Sequence, residues 1–149
     1  MILDMINVCV FEDDKLEALQ PLTFVRPAYD LLLGMDTLLD KMTRYFDKNQ
    51  ITLHCRPDLK KVMKHRHKGM MVNRVNTGTP CLFLNGRVVM TDVLAEQLTL
   101  NKNQYDLLYT YQGEVVAAYL RGKCLEYMVG VLEGLPHSTS LIKDLRPKC

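Results

Sequence analysis

Three carboxylates, Glu12, Asp13 and Asp14, stand in a row directly after the apolar run of residues 6–11. Carboxylates at the end of a buried strand suit a divalent cation or a ribose hydroxyl pair; a solvated acidic loop is the plainer alternative. The connection that follows, residues 16–34, carries Pro21, Arg26, Pro27 and Gly34. Long ordered connections of this kind tend to carry function, because a rigid scaffold holds them. A second arginine, Arg87, follows Asn85 and Gly86 at the end of another apolar run. An arginine offers a planar fork of donors that suits phosphate or carboxylate oxygens. Residues 60–68 hold seven basic or imidazole side chains in nine positions. That cluster suits either a phosphate or nucleic-acid patch or a solvated helix end, where cations complement the helix dipole. No aromatic residue is interleaved for base stacking, which argues against nucleic acid. His65 and His67 are two apart and point in different directions from a helix, so the pair alone makes no metal site.

The elements that must position these groups follow from the apolar pattern. Residues 6–11 are a nearly continuous apolar run with β-branched residues, the pattern of a strand inside a parallel sheet. Residues 35–46 repeat apolar side chains at helical spacing, with Asp36 as the cap. Residues 50–55 read as a second strand, and Pro57 suits the first turn of a helix with Leu59, Val62 and Met63 on its apolar stripe. A short strand at 70–72, another at 81–84, and a helix at 93–98 capped by Thr91 or Asp92 come next. Residues 106–111 and 114–120 read as a β-hairpin around Gln112-Gly113, followed by a helix at 123–132 that stops at Gly134 and Pro136. The tail, residues 141–149, has a Leu-Ile pair and a basic end. Strands alternating with helices predict an α/β fold: a mainly parallel, Rossmann-like sheet with helices on both faces, plus the hairpin.

A chain of 149 residues suits one domain with a real core. Its 48% hydrophobic and 24% charged content argues against disorder, and a net charge of +2 gives no electrostatic case for nucleic acid. No apolar run reaches the roughly 20 residues of a membrane span. The N-terminus has no basic region and carries Asp4, unlike a secretory signal. Five scattered cysteines form no CxxC pair, so reduced thiols in a cytoplasmic, reducing compartment are expected.

The segment Leu19-Gln20-Pro21-Leu22-Thr23-Phe24-Val25-Arg26-Pro27 resembles the Leu-x-Pro-Leu-Thr-x-x-Arg-Pro signature of sugar-1-phosphate nucleotidyltransferases. Phe11-Glu12-Asp13 ahead of it and Asp30-Leu31 with Gly34 behind it sharpen the likeness. They match a family similar to the uridylyltransferase half of the bifunctional N-acetylglucosamine-1-phosphate enzyme. Leu84-Asn85-Gly86-Arg87-Val88 and the Gly113–Ala118 stretch resemble later segments of the same family, in the same order.

The resemblance implies a partial nucleotide-diphospho-sugar transferase-like fold, a single domain over residues 1–149. A fragment that is the N-terminal part of a longer protein, a truncated product and a reduced paralogue all fit that length. It implies a reaction between a nucleoside triphosphate and a sugar 1-phosphate that gives a nucleotide sugar and pyrophosphate, with Mg²⁺. Arg26 takes the catalytic place; Pro21, Leu22, Thr23, Arg26, Asn85, Gly86 and Arg87 take the substrate-binding places; Glu12 and Asp13 take the metal. The alternative is a catalytically inactive module of the same fold that binds a nucleotide or sugar phosphate. The oligomeric state is open. Three departures from the wider class stand out. Residues 13–18 contain no glycine, so backbone amides lack the close approach of a glycine-rich phosphate loop. Ala28 stands where a lysine is usual, and Arg87 stands where an aspartate holds the metal.

Overall fold

Val8 and Val10 point to one face of the first strand, Cys9 and Phe11 to the other, and all four are buried. A strand with no polar side needs cover on both faces, and that requirement sets the architecture. The computed structural model describes residues 6–134. In chain order it contains β1 (Asn7–Phe11), the small hairpin β2 (Leu32–Leu33) and β3 (Asp36–Thr37), α1 (Leu38–Met42), β4 (Ile51–Leu53), α2 (Lys60–Arg66), β5 (Met71–Val72), β6 (Cys81–Asn85), α3 (Asp92–Leu100), β7 (Leu107–Tyr111), β8 (Glu114–Leu120) and α4 (Gly122–Glu133). The main sheet runs β5-β4-β1-β6-β8-β7. β1 pairs in parallel with β4 and β6, and β4 with β5; β8 runs antiparallel to β6, and β7 to β8. The four parallel strands therefore lie in the order third, second, first, fourth, which is the Rossmann-like winding.

The two faces are covered differently. On one, Val8 and Val10 pack with Leu39 and Met42 of α1, Met63 of α2, and Ala95 and Leu98 of α3. On the other, Cys9, Phe11 and Phe83 pack with Leu125, Met128 and Leu132 of α4. The crossovers β1–β4 and β4–β5 both carry helices. The chain then reverses direction across the sheet, and right-handed connection places the β5–β6 crossover on the opposite face. That crossover, residues 73–80, has no helix. The late helix α4 covers the face it leaves.

The expected helix over 35–46 is shorter and begins later. Its cap is Thr37, not Asp36: Thr37 Oγ1 accepts from the Asp40 backbone N–H at 3.0 Å, and Asp40 Oδ2 accepts from the Thr37 N–H at 3.1 Å. This reciprocal capping box satisfies two donors at once. Asp36 instead lies in β3, paired with Leu33 across a turn whose Gly34 has φ +78°, and its carboxylate bridges to Arg44. The other expected elements form close to where the pattern put them. Thr91 caps α3, and the hairpin turn places both Gln112 and Gly113 at positive φ, the turn that matches strand twist. Cys9, Cys55 and Cys81 are buried free thiols. Among the described residues no helix is long and apolar enough to cross a membrane. Asp4, Pro136, Cys149 and the tail of residues 141–149 lie outside the described residues.

Because α4 is the helix that covers this face among the described residues, Leu125, fully buried beneath it, carries much of that layer. Leu125→Ala is expected to lower unfolding free energy by about 2–5 kcal/mol, the usual cost of a buried leucine truncation. Urea denaturation followed by circular dichroism measures it; a loss within about 0.5 kcal/mol of zero, typical of surface sites, would remove α4 from the core.

Candidate functional site

The winding reverses between β1 and β6, and in open α/β sheets the crevice outside the carboxyl ends at that point is where ligands bind. Here the chain fills it. Gly86 N–H donates to Phe11 O at 2.8 Å, extending the pairing past both strands. Asp13, buried just beyond β1, accepts from Arg87 Nε at 3.0 and 3.1 Å and from Arg87 Nη2 at 2.5 Å. Asn85 Nδ2 adds a bond to Asp13 Oδ2 at 2.8 Å and another to Val115 O at 2.9 Å, while its Oδ1 accepts from the Arg87 N–H at 3.0 Å. The Lys15 N–H donates to Asp13 Oδ1 at 3.1 Å. Arg87 also bridges to Glu114 on β8. Burial alone would loosen the guanidinium proton of Arg87; the bonds to Asp13 and Glu114 outweigh it and raise its pKa.

Glu12 turns the other way. Its Oε2 accepts from the Arg56 N–H at 2.9 Å, and Oε1 lies 3.6 Å from Arg56 Nη1, close enough for an ion pair but not for a hydrogen bond. Burial pushes the Glu12 carboxyl up, against the downward pull of the Arg56 N–H and charge. Glu12 and the neighbouring His54 and Cys55 line a cavity of about 250 Å³ beyond the carboxyl ends of β1 and β4. Burial lowers the His54 imidazole to about 4 and pushes the Cys55 thiol up to about 12, so both are neutral near pH 7.

The long connection is held at three points. Thr23 is buried, and its Oγ1 donates to Leu16 O at 3.1 Å. Arg56 Nη2 donates to Thr23 O at 2.5 Å. Asp30, buried at the end of the connection, accepts from Arg66 Nη1 at 2.7 Å and pairs with His67 Nε2 at 2.8 Å. Burial raises the Asp30 carboxyl, but the bonds from His67 and Arg66 outweigh it and leave it below its ordinary value. Between these anchors Leu22, Phe24 and Val25 are exposed, and the Gln20–Pro21 bond is cis. Arg26 is half-buried and makes no hydrogen bond or ion pair among the described residues.

The residues singled out in the sequence therefore separate. Asn85 and Arg87 meet Asp13 in one network, with Gly86 packed between them against Tyr29; Pro21, Leu22, Thr23 and Arg26 lie on the connection, and among the described residues no hydrogen bond or ion pair ties them to that network. Arg87 is neutralised by two carboxylates. Gly86 is explained by packing: a Cβ there would stand 2.7 Å from Tyr29 Cδ1 and 3.0 Å from Phe11 O. The Arg26 guanidinium is not pinned by Asp30 or by the carboxylates at 12–14. Glu12 and Asp13 do not fit Mg²⁺ as arranged, since they face different partners and both oxygens of Asp13 are already bonded to N–H donors. Among the described residues no three His, Cys, Asp or Glu side chains gather as a metal would need. The basic cluster is only partly solvated, because Arg66 and His67 hold the connection. Sequence reasoning passed over Arg56 and His54, and over the partners of Asp30. For Arg56 there was a signal: like Arg87, it follows directly on an apolar strand.

The family model for sugar nucleotidyl transferases matches residues 8–128, so the chain belongs to that family. No curated protein matches the sequence. Among solved structures, a mannose-1-phosphate geranyltransferase from Thermus thermophilus is similar at 15% identity and a TM-score of 0.49, over 94% of this chain and 67% of that one.

Arg87→Ala strands Asp13 without its main donor. It is expected to cost about 3 kcal/mol, the lower end for breaking a buried pair because Asn85 and the Lys15 N–H remain. Thermal denaturation reads it, and an unchanged midpoint would show that the bridge contributes nothing. Asp30 carries a pH signature. Its folded pKa is below the ordinary carboxylate value of about 3.9, so its paired, ionised form stabilises the fold above that pH. The contribution fades as pH falls through the folded value. The stability gap between wild type and Asp30→Asn should thus shrink as pH falls below about 4; urea melts across that range would show a pH-independent gap if the pairing were immaterial.

Proposed function

We propose that this member of the sugar nucleotidyl transferase family joins a nucleoside triphosphate to a sugar 1-phosphate at the carboxyl edge of its sheet. A phosphate oxygen of the sugar phosphate attacks the α-phosphorus. The bond from that phosphorus to the α–β bridging oxygen breaks, and pyrophosphate leaves with the electron pair. The product is a nucleotide sugar. Such a transfer asks the protein for position and positive charge more than for covalent chemistry.

One observation carries this reading. Arg44, Arg56, Arg66 and Arg87 each have a carboxylate partner; the guanidinium groups of Arg26, Arg74 and Arg121 have none among the described residues, and of these three Arg26 is the half-buried one, held between the Thr23 and Asp30 anchors while the other two are exposed. The Arg26 fork is free to take two phosphate oxygens together. The free thiols fit a reducing, cytoplasmic setting for the reaction.

A second reading, a binding module without chemistry, rests on the neutralisation of Arg87. With that guanidinium held by Asp13 and Glu114, the crevice has less charge to offer a leaving pyrophosphate.

Calorimetric titration with nucleoside triphosphates and sugar 1-phosphates, with and without Mg²⁺, together with a pyrophosphate-release assay, decides between them. Arg26→Ala is expected to weaken binding of the phosphorylated ligands by about 10- to 100-fold, the value of a charge-assisted hydrogen bond. Pyrophosphate release by the wild type supports transfer. Binding without release supports the module. Absence of binding to every such ligand would overturn both.

A further inference from the structure

Charge is unevenly spread along the chain. No Asp or Glu occurs between Asp58 and Asp92, a stretch that holds seven Lys and Arg side chains. Arg66 and Arg87 within it have carboxylate partners. Lys60, Lys61, Lys64 and Lys68 are exposed, and among the described residues none of the four forms an ion pair. On α2, Met63 is buried while Lys60, Lys61 and Lys64 fall together on the outer face at helical spacing. Like charges held this close repel one another, and an external anionic surface relieves that repulsion.

Beside the lysines stands an apolar surface. Asp30 accepts from Arg66 and pairs with His67, which fixes the end of α2 against the start of the β2–β3 hairpin. Lys64 and Lys68 flank that pair in sequence. Leu31 O accepts from the Leu38 N–H at 3.1 Å and closes the base of the hairpin. At about 3.3 Å per residue, the turn lies roughly 10 Å beyond this base. Leu32 is 66% exposed, and Met35 in the turn is 97% exposed. Nothing lies within 4 Å of where a Gly34 Cβ would stand. The hairpin thus projects apolar side chains from a convex tip, with no groove around them. Of the carboxylates nearby, Asp36 is paired with Arg44, and Asp40 is engaged by Thr37.

A convex apolar tip with unpaired cations beside it selects a partner. A folded protein would need a pocket shaped to Met35 and carboxylates placed for the lysines. A bilayer with anionic headgroups supplies both without matched shape. Its headgroup–acyl boundary takes up a protruding apolar side chain, and its surface potential attracts the lysines alongside. Nucleic acid would use the lysines but leave the tip in water, and no aromatic residue stands among them to stack on a base.

We infer that the β2–β3 hairpin and the lysines of α2 form a docking surface for an anionic membrane. The chain lies on the bilayer and does not cross it. Leu32 and Met35 enter the headgroup boundary, and Lys61, Lys64 and Lys68 face the lipid phosphates. The inference does not depend on the reaction proposed above.

The chain has no tryptophan, so Met35→Trp places a single reporter at the tip. The full chain carrying it is mixed with vesicles of phosphatidylcholine alone, or of phosphatidylcholine with an equal part of phosphatidylglycerol. With the anionic vesicles only, its emission is expected to shift to the blue and to be quenched by brominated acyl chains. Co-sedimentation of the chain without the reporter measures affinity. Lys61→Ala, Lys64→Ala and Lys68→Ala are each expected to weaken binding by about 5-fold, the value of one lysine near an anionic surface. Met35→Asp is expected to weaken it by about 10-fold or more, the loss of one inserted apolar side chain. Lys102→Ala, which removes an exposed cation outside the cluster, is expected to change nothing. Every substituted residue is exposed, and thermal melting confirms that each variant is folded. No sedimentation with anionic vesicles at low salt, or binding that the lysine and Met35 variants leave unchanged, would overturn the inference. So would a blue shift that grows with protein concentration in the absence of vesicles, which would assign the tip to a second copy of the chain. Binding of an oligonucleotide in place of vesicles would likewise overturn it and assign the lysines to nucleic acid.

Discussion

Asp13 is a carboxylate only 6% exposed, and a buried carboxylate persists only if donors surround it. Its donors come from Lys15 on its own segment and from Asn85 and Arg87 at the end of β6. Asn85 and Arg87 in turn bond Val115 and Glu114 on β8. One carboxylate thus ties the ends of the first parallel strand, the last parallel strand and the antiparallel strand beside it. Aspartate at this place requires arginine and asparagine at theirs, and the tight Gly86 contact with Tyr29 and Phe11 lets the two strand ends come close enough to meet.

The consequence is a displaced cavity. At the winding reversal, where an open α/β sheet leaves a crevice, protein groups occupy the room themselves. Glu12 and Asp13, adjacent in sequence, reach opposite neighbours: Asp13 closes the β6 side, and Glu12 opens onto the β4 side. The β5–β6 crossover matters here as well. Lacking a helix, it leaves the second face to α4, and the last turns of α4 become a wall of the cavity.

The sheet was legible in the sequence because its strands are apolar on both faces and short, a pattern few other structures share. The hairpin β7–β8 was legible from Gln112-Gly113. The hairpin β2–β3 was not: Leu32 and Leu33 fall inside the long connection with no alternation to mark a strand, and only pairing across Gly34 shows them exposed and extended. The site was half legible. Position after an apolar strand singled out Glu12, Asp13 and Arg87, but charge pairing between residues more than seventy positions apart leaves no local pattern, so the neutralisation of Arg87 was hidden. The pairing of Asp30 was hidden for the same reason: its partners, Arg66 and His67, sat in a cluster whose composition suggests a solvated helix end.

The connection without glycines can now be understood in the same terms. In a glycine-rich phosphate loop, free backbone N–H groups face the anion. Here the residues after β1 form a 3-10 helix, Asp14–Leu19, and Asp13 caps it by accepting from the Lys15 N–H. That backbone donor is spent inside the fold, and the flanking carboxylates of Glu12, Asp13 and Asp14 make the start of the connection hostile to phosphate. Desolvation and the charge of Asp13 raise even the partly exposed Asp14 carboxyl. Under the proposed function, recognition of an anion would therefore fall to a side chain rather than to the backbone at the start of the connection. Arg26 lies downstream of the carboxylates and upstream of the Asp30 anchor, with a guanidinium that no carboxylate of the described residues has claimed.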